Sequence, residues 1–194
     1  MNFLAHIYLS GDNDFIKIGN FIADGIHGKN FSGIHPEIQK GIILHRHIDT
    51  FTDSHSVFKQ STKKLHAGYG HYSGVIVDIF YDHFLAKNWM NYSEVSLAEF
   101  TTEFYTLLEN HLHLTPEKTK RLFPYMVSQN WLYEYRTMEG ISQILYQMDS
   151  RTGFKSNMQF APNELQQFYE EFELEFTLFF KEVQAHVQQQ IPLL

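Results

Sequence analysis

Apolar residues recur along this chain at three- and four-residue intervals, the period of helices, and almost nowhere alternate as they do in strands. Asp24-Gly25 is the one dipeptide of the hairpin-turn kind, and the apolar Phe21-Ile22-Ala23 before it fits a helix ending at a glycine better. The pattern predicts a first helix from about Asp14 to Asp24, then a glycine-containing loop through Gly33. Pro36, suited to a first turn, opens a helix carrying Ile38, Ile42, Leu44, His45 and Asp49. A shorter helix follows from about Ser54 to His66, and the breaker cluster Gly68 to Gly74 leads into another holding Asp78, Asp82 and His83. Ser96-Leu-Ala-Glu99 has capping-box form and starts a helix to about His113. Thr115-Pro116 opens one reaching roughly Tyr135, and another covers about Glu139 to Ser150. After Pro162 a long aromatic helix places Leu165, Phe168, Phe172, Phe176, Phe179 and Val183 near one face. No repeat or low-complexity linker interrupts the series, so residues 1–194 are expected to form one all-α domain of about seven to nine helices.

Two of these helices carry polar stripes in apolar surroundings. His45, Asp49 and Asp53 lie four apart, and so do Asp78 and Asp82, with His83 next in sequence. Side chains four apart on a helix are neighbours. Buried carboxylates gathered on one side need a cation, and a divalent metal is the simplest. The plainer reading makes His45 an ordinary buried histidine and Asp49 or Asp53 a cap. Asp53-Ser54 does look like a helix start, which makes Asp53 a capping residue rather than a ligand. For Asp78 and Asp82 the plainer reading is a solvated helix face, but Ile76, Val77, Ile79, Phe80, Tyr81, Phe84 and Leu85 leave little room for one. His83 is rotated about 100° from Asp82 and would reach another part of the cavity.

Asp24 is expected at a helix C-terminus, where an acid is electrostatically misplaced unless a cation joins it. His6, alone in an apolar run, reads by itself as a satisfied core residue. The remaining histidines have no comparable spacing.

Composition then narrows the chemistry. The net charge of −7 argues against a general nucleic-acid binder, and the chain has no cysteine, which removes disulfides and thiolate ligands. Imidazole and carboxylate donors without sulfur fit Mn²⁺, Fe²⁺, Zn²⁺ or Mg²⁺. No apolar run approaches the ~20 residues of a membrane span, and the N-terminal run is too short and lacks the basic start of a signal peptide. A soluble, cytoplasmic protein with neither membrane nor nucleic-acid partners is expected; the oligomeric state is open. The short basic segments Lys63-Lys64 and Lys118-Thr-Lys-Arg121 read as solvated faces or as docking points for an acidic partner. The Gly68–Gly74 loop fits no phosphate-binding pattern and reads as a connection.

Several motifs together match something specific. Met1-Asn-Phe-Leu-Ala-His6, Gly19-Asn-Phe-Ile-Ala-Asp24, Gly41-Ile-Ile-Leu-His45-Arg46-His-Ile-Asp49-Thr-Phe-Thr-Asp53, Asp82-His-Phe-Leu85 and Asn130-Trp131-Leu-Tyr-Glu-Tyr135-Arg136-Thr-Met138 resemble, in order, the acyl carrier protein phosphodiesterases. The resemblance implies a helical fold related to the metal phosphohydrolases named for a His-Asp dyad. It also implies Mn²⁺-supported hydrolysis of holo-acyl carrier protein to the apo form and 4′-phosphopantetheine. This chain has no adjacent His-Asp pair, only Asp82-His83 in reversed order, so roles carry over position by position. His45, Asp49, Asp24 and Asp82 are the leading metal ligands, and His6 and Asp78 are further ones. Arg46 is expected on the phosphoryl charge, and Asp82 or His83 to move a proton. The alternatives are a metal phosphohydrolase acting on a nucleotide or small phosphoester, and a non-catalytic helical binding protein. A ferritin-like di-iron centre is disfavoured, because no Glu-x-x-His pair occurs.

Overall fold

Asn13, Ser96 and Thr137 each accept a hydrogen bond from the backbone N–H three residues on, at 3.1, 3.2 and 3.0 Å, and each opens a helix. In the computed structural model, which describes residues 1–28, 31 and 33–194, such local choices add up to an all-α fold with no strand among the described residues. The loop expected through Gly33 falls partly outside them. The helices are α1 (Phe3–Tyr8), α2 (Asp14–Ile22), α3 (Pro36–Ser54), α4 (Ser56–Tyr69), α5 (Ser73–Lys87), α6 (Leu97–Asn110), α7 (Glu117–Ser128), α8 (Trp131–Glu134), α9 (Met138–Arg151), α10 (Pro162–Gln167) and α11 (Tyr169–Gln190).

Three short segments were not expected from the periodicity. Helix α1 forms because Asn2 and Asp82 satisfy its first N–H groups. Asn130, at φ 47°, ψ 48°, is left-handed and splits the expected Thr115–Tyr135 helix into α7 and α8. Phe168, at φ −114°, ψ 30°, separates α10 from α11. Another boundary moves by two residues: α3 continues through Asp53 and Ser54, and His55 caps α4 by accepting from Val57 N–H at 3.3 Å. Asp53 is therefore an exposed residue in the last turn of α3 and not the cap that Asp53-Ser54 promises.

Helix α5 runs through the centre, with eleven of its fifteen residues buried, as an all-round apolar helix requires. Against it pack Phe172, Phe176, Phe179 and Phe180 of α11, all fully buried, with Phe80–Phe172 and Tyr81–Phe176 ring centroids 5.2 and 5.7 Å apart. On its other side α5 holds α1 through Asp82. Helices α2 and α3 cross at a pair of glycines. A Cβ on Gly19 would stand 2.1 Å from the Ile38 carbonyl oxygen, and one on Gly41 2.3 Å from that of Ile16. This backbone contact is what brings the polar ends of α2 and α3 together.

Candidate metal centre

One turn beyond the glycine crossing, α3 presents His45 and Asp49 toward Asn20 of α2, Asp24 of the 3₁₀ turn Ala23–Gly25, and His6 of α1. His6 and His45 are buried and stack, with centroids 4.0 Å apart and planes at 21°. Both rings turn Nδ1 to Asn20. His6 Nδ1 is 2.8 Å from Asn20 Oδ1, and His45 Nδ1 is 3.1 Å from the same atom and 2.9 Å from the Asn20 carbonyl oxygen. Both rings turn Nε2 to carboxylates. His45 Nε2 lies 3.0 Å from Asp49 Oδ2 and 3.2 Å from Asp24 Oδ1, and His6 Nε2 lies 3.3 Å from Asp49 Oδ1. One donor atom each from His6, His45 and Asp49 falls within 4.8 Å of the others.

Charge follows this geometry. Burial alone would lower the His45 pKa, but hydrogen bonds to Asp24 and Asp49 outweigh it and raise it to about 9. Burial, helped by the neighbouring His45, lowers His6 to about 4. Burial would push Asp49 up, but the two imidazoles hold its carboxyl well below the usual range. Asp24 is held down chiefly by its hydrogen bond with His45. His6 Nε2 is buried within ion-pair distance of Asp49 yet makes no hydrogen bond. A buried, neutral ring nitrogen left bare beside a carboxylate is a donor that a cation would satisfy. The donor set of two imidazoles and one carboxylate, with Asp24 adjacent, fits a divalent metal.

The other expected site residues are placed elsewhere. Asp82 is fully buried and accepts from the N–H groups of Leu4, Asn2 and Ala5 at 2.8, 3.2 and 3.3 Å, so it seats the N-terminus of α1 instead of joining the cluster. Burial raises its pKa to about 7 against those backbone bonds. Asp78, one turn earlier, does reach the cavity but pairs with the Met1 α-amino group at 2.5 Å. Both nitrogens of His83 are engaged, Nδ1 with the Tyr135 carbonyl oxygen and Nε2 with the Tyr169 hydroxyl, each at 2.7 Å. Arg46, a 100° step from His45, points away: it donates to the carbonyls of Gly28 and Ile26 at 2.7 and 3.3 Å, and its guanidinium lies 5.2 Å from the Phe31 ring centroid. The phosphate contact expected of Arg46 and the proton transfer expected of Asp82 or His83 are thus not set up at this cluster.

Beside the cluster opens a cavity of about 420 Å³. Asp24, His45, Asp49, Asp53 and Asp78 line its acidic part, and Trp131, Ile144 and Met148 give it an apolar wall. Lys118 and Arg151, both exposed, stand at its mouth. Asn20 and Arg151 were missed in the sequence. Asn20 had a signal, an amide inside the apolar run Ile18-Gly-Asn-Phe-Ile.

A family model described as acyl carrier protein phosphodiesterase matches residues 1–183. The chain belongs to that family. Relatives named acyl carrier protein phosphodiesterase include a Yersinia enterocolitica protein, 30% identical over 97% of this chain and 98% of its own length. A Photorhabdus laumondii protein of the same name is 32% identical over 93% of this chain and 91% of its own. A Pectobacterium atrosepticum one is 30% identical over 93% and 94%. No solved structure matches this chain. The family match spans α1 through most of α11, so every residue of the cluster lies inside it.

Proposed function

We propose that this protein is a metal-dependent phosphodiesterase that hydrolyses the bond between 4′-phosphopantetheine and the serine of holo-acyl carrier protein, giving the apo carrier. The observation that carries the reading is the His6–His45–Asp49 cluster on the edge of a cavity, in a chain matched along residues 1–183 by the phosphodiesterase family. His6, His45 and Asp49 would hold the ion, with Asp24 next to them. Mn²⁺ is the first choice, since two imidazoles with carboxylate favour it over Mg²⁺, and Fe²⁺ and Zn²⁺ suit the same donors. When bound, such an ion supplies Lewis-acid charge to the phosphoryl oxygens and makes water a stronger acid.

The chain's own groups divide the rest of the work. Asp24, held ionised by His45 and exposed to the cavity, is placed to accept the proton of an attacking water. Asp78, whose pKa burial raises even against its pairing with the Met1 α-amino group, is the cavity carboxyl that would carry a proton to the departing serine oxygen, in place of Asp82 or His83. The wall of Trp131, Ile144 and Met148 gives the pantetheine arm a surface to lie on, and 420 Å³ is room for a ligand of that class. Lys118 and Arg151 complement an acidic carrier surface, although the chain itself is at −7. A cytoplasmic site of action goes with that substrate. Comparing kcat/KM for holo-acyl carrier protein with that for bis(4-nitrophenyl) phosphate tests the substrate. The carrier should be preferred by orders of magnitude, and equal or reversed preference would favour the small-phosphoester reading.

A further inference from the structure

Asn20 is fully buried and uses every polar atom of its side chain. One end of the amide lies 2.9 Å from the His6 carbonyl oxygen, which can only accept, so that end is the amino group. The same Nδ2 donates to Ser10 Oγ at 3.0 Å, and Ser10 in turn donates to the His6 carbonyl at 2.8 Å. The amide orientation is therefore fixed by its far side, and the end facing the two imidazoles is Oδ1. An oxygen there can only accept. Each ring must donate to it from Nδ1, and His45 Nδ1 faces a second acceptor in the Asn20 carbonyl oxygen.

We propose that Asn20 is the positioning residue of this centre: one side-chain oxygen fixes both His6 and His45 with hydrogen on Nδ1 and Nε2 aimed at Asp49. A neutral imidazole offers a metal only its unprotonated nitrogen, and the hydrogen bond at the other nitrogen decides which one that is. Here a single amide decides it for two rings from two helices. The Nδ2 bonds tie the amide to the turn Leu9–Ser10 that ends α1, so the position of His6 relative to His45 is set by the same residue. The tautomer claim stands on geometry alone, and its use in holding a cation rests on the function proposed above.

Two measurements test it. In metal-free wild-type protein, long-range ¹H–¹⁵N correlation of the neutral His6 ring should show the Nδ1–H tautomer; an Nε2–H ring overturns the proposal. In Mn²⁺ titrations, Asn20→Leu should weaken binding by about 10- to 100-fold, whereas Ser10→Ala, which removes one partner of Nδ2 and leaves Oδ1 facing both rings, should lose much less. A folded Asn20→Leu protein that binds Mn²⁺ like wild type overturns the proposal as well, and so does an equal loss in both variants. The NMR measurement needs no variant and decides the matter if Asn20→Leu does not fold. Wild-type protein that takes up no Mn²⁺ would instead overturn the proposed function, while the His6 tautomer still decides the role of Asn20.

Discussion

At the scale of single residues, His45 Nε2 is the atom for which a proton and the proposed cation would compete. Removing Asp49 takes away the group that both Nε2 atoms face, so Asp49→Ala should lose Mn²⁺ binding and turnover together while remaining folded. Metal analysis alongside the activity assay checks this, and full activity in the variant would contradict the site. The pH dependence follows from His45. Its folded pKa, about 9, lies above the ordinary imidazole value, so in metal-free protein its stabilising contribution is complete below about 6.5. That contribution is lost as pH rises through about 9. The metal competes for the same nitrogen, so Mn²⁺ affinity should rise across that window, by about tenfold per pH unit if one proton is displaced. Melting temperatures of the metal-free protein and Mn²⁺ titrations over the same pH range should therefore move in opposite directions. His45 and Asp49 were legible in the sequence because a helix makes residues four apart neighbours. His6 became a candidate only through the family resemblance and Asn20 not at all, because both meet the stripe across helix contacts that no spacing encodes. Arg46 lies away from the cluster for the opposite reason: adjacency in sequence turns a helical side chain by about 100°.

The helices succeed or fail at their contacts. Gly19 and Gly41 let α2 and α3 touch backbone to backbone, and the polar ends of both helices depend on that approach. Gly41→Ala should destabilise the fold by about 1–3 kcal/mol or more, and should weaken Mn²⁺ binding by separating Asn20 from His45. Chemical denaturation and metal titration measure the two effects. Asp82→Ala is a different kind of change. It strips three N–H groups at the start of α1 of their acceptor, which should cost roughly 1–3 kcal/mol or more. Starts of helices were readable, as Ser96 and Pro36 show, because capping is local chemistry. Internal breaks were not: Asn130 and Phe168 leave helical geometry inside runs whose periodicity continues across them.

Across the whole molecule, an acidic chain keeps two exposed cations at the mouth of its acidic cavity. Reversing them, in Lys118→Glu with Arg151→Glu, should raise KM for the carrier several-fold and flatten its salt dependence, with little change in kcat. Steady-state kinetics at low and high ionic strength check this. The all-α class and the family were both legible from the periodicity and the motifs, whereas the cavity mouth was not, since Lys118 of α7 and Arg151 of α9 are far apart in sequence and reach one cavity only in the fold. On the function proposed, this chain removes 4′-phosphopantetheine from its carrier with the help of an ion held at His6, His45 and Asp49. The most direct measurement incubates purified protein with holo-acyl carrier protein and Mn²⁺ and follows the carrier by mass spectrometry. Conversion to the apo mass is expected, stopping on chelation and resuming on addition of Mn²⁺. A carrier that keeps its prosthetic group in the presence of folded, Mn²⁺-loaded protein would contradict it.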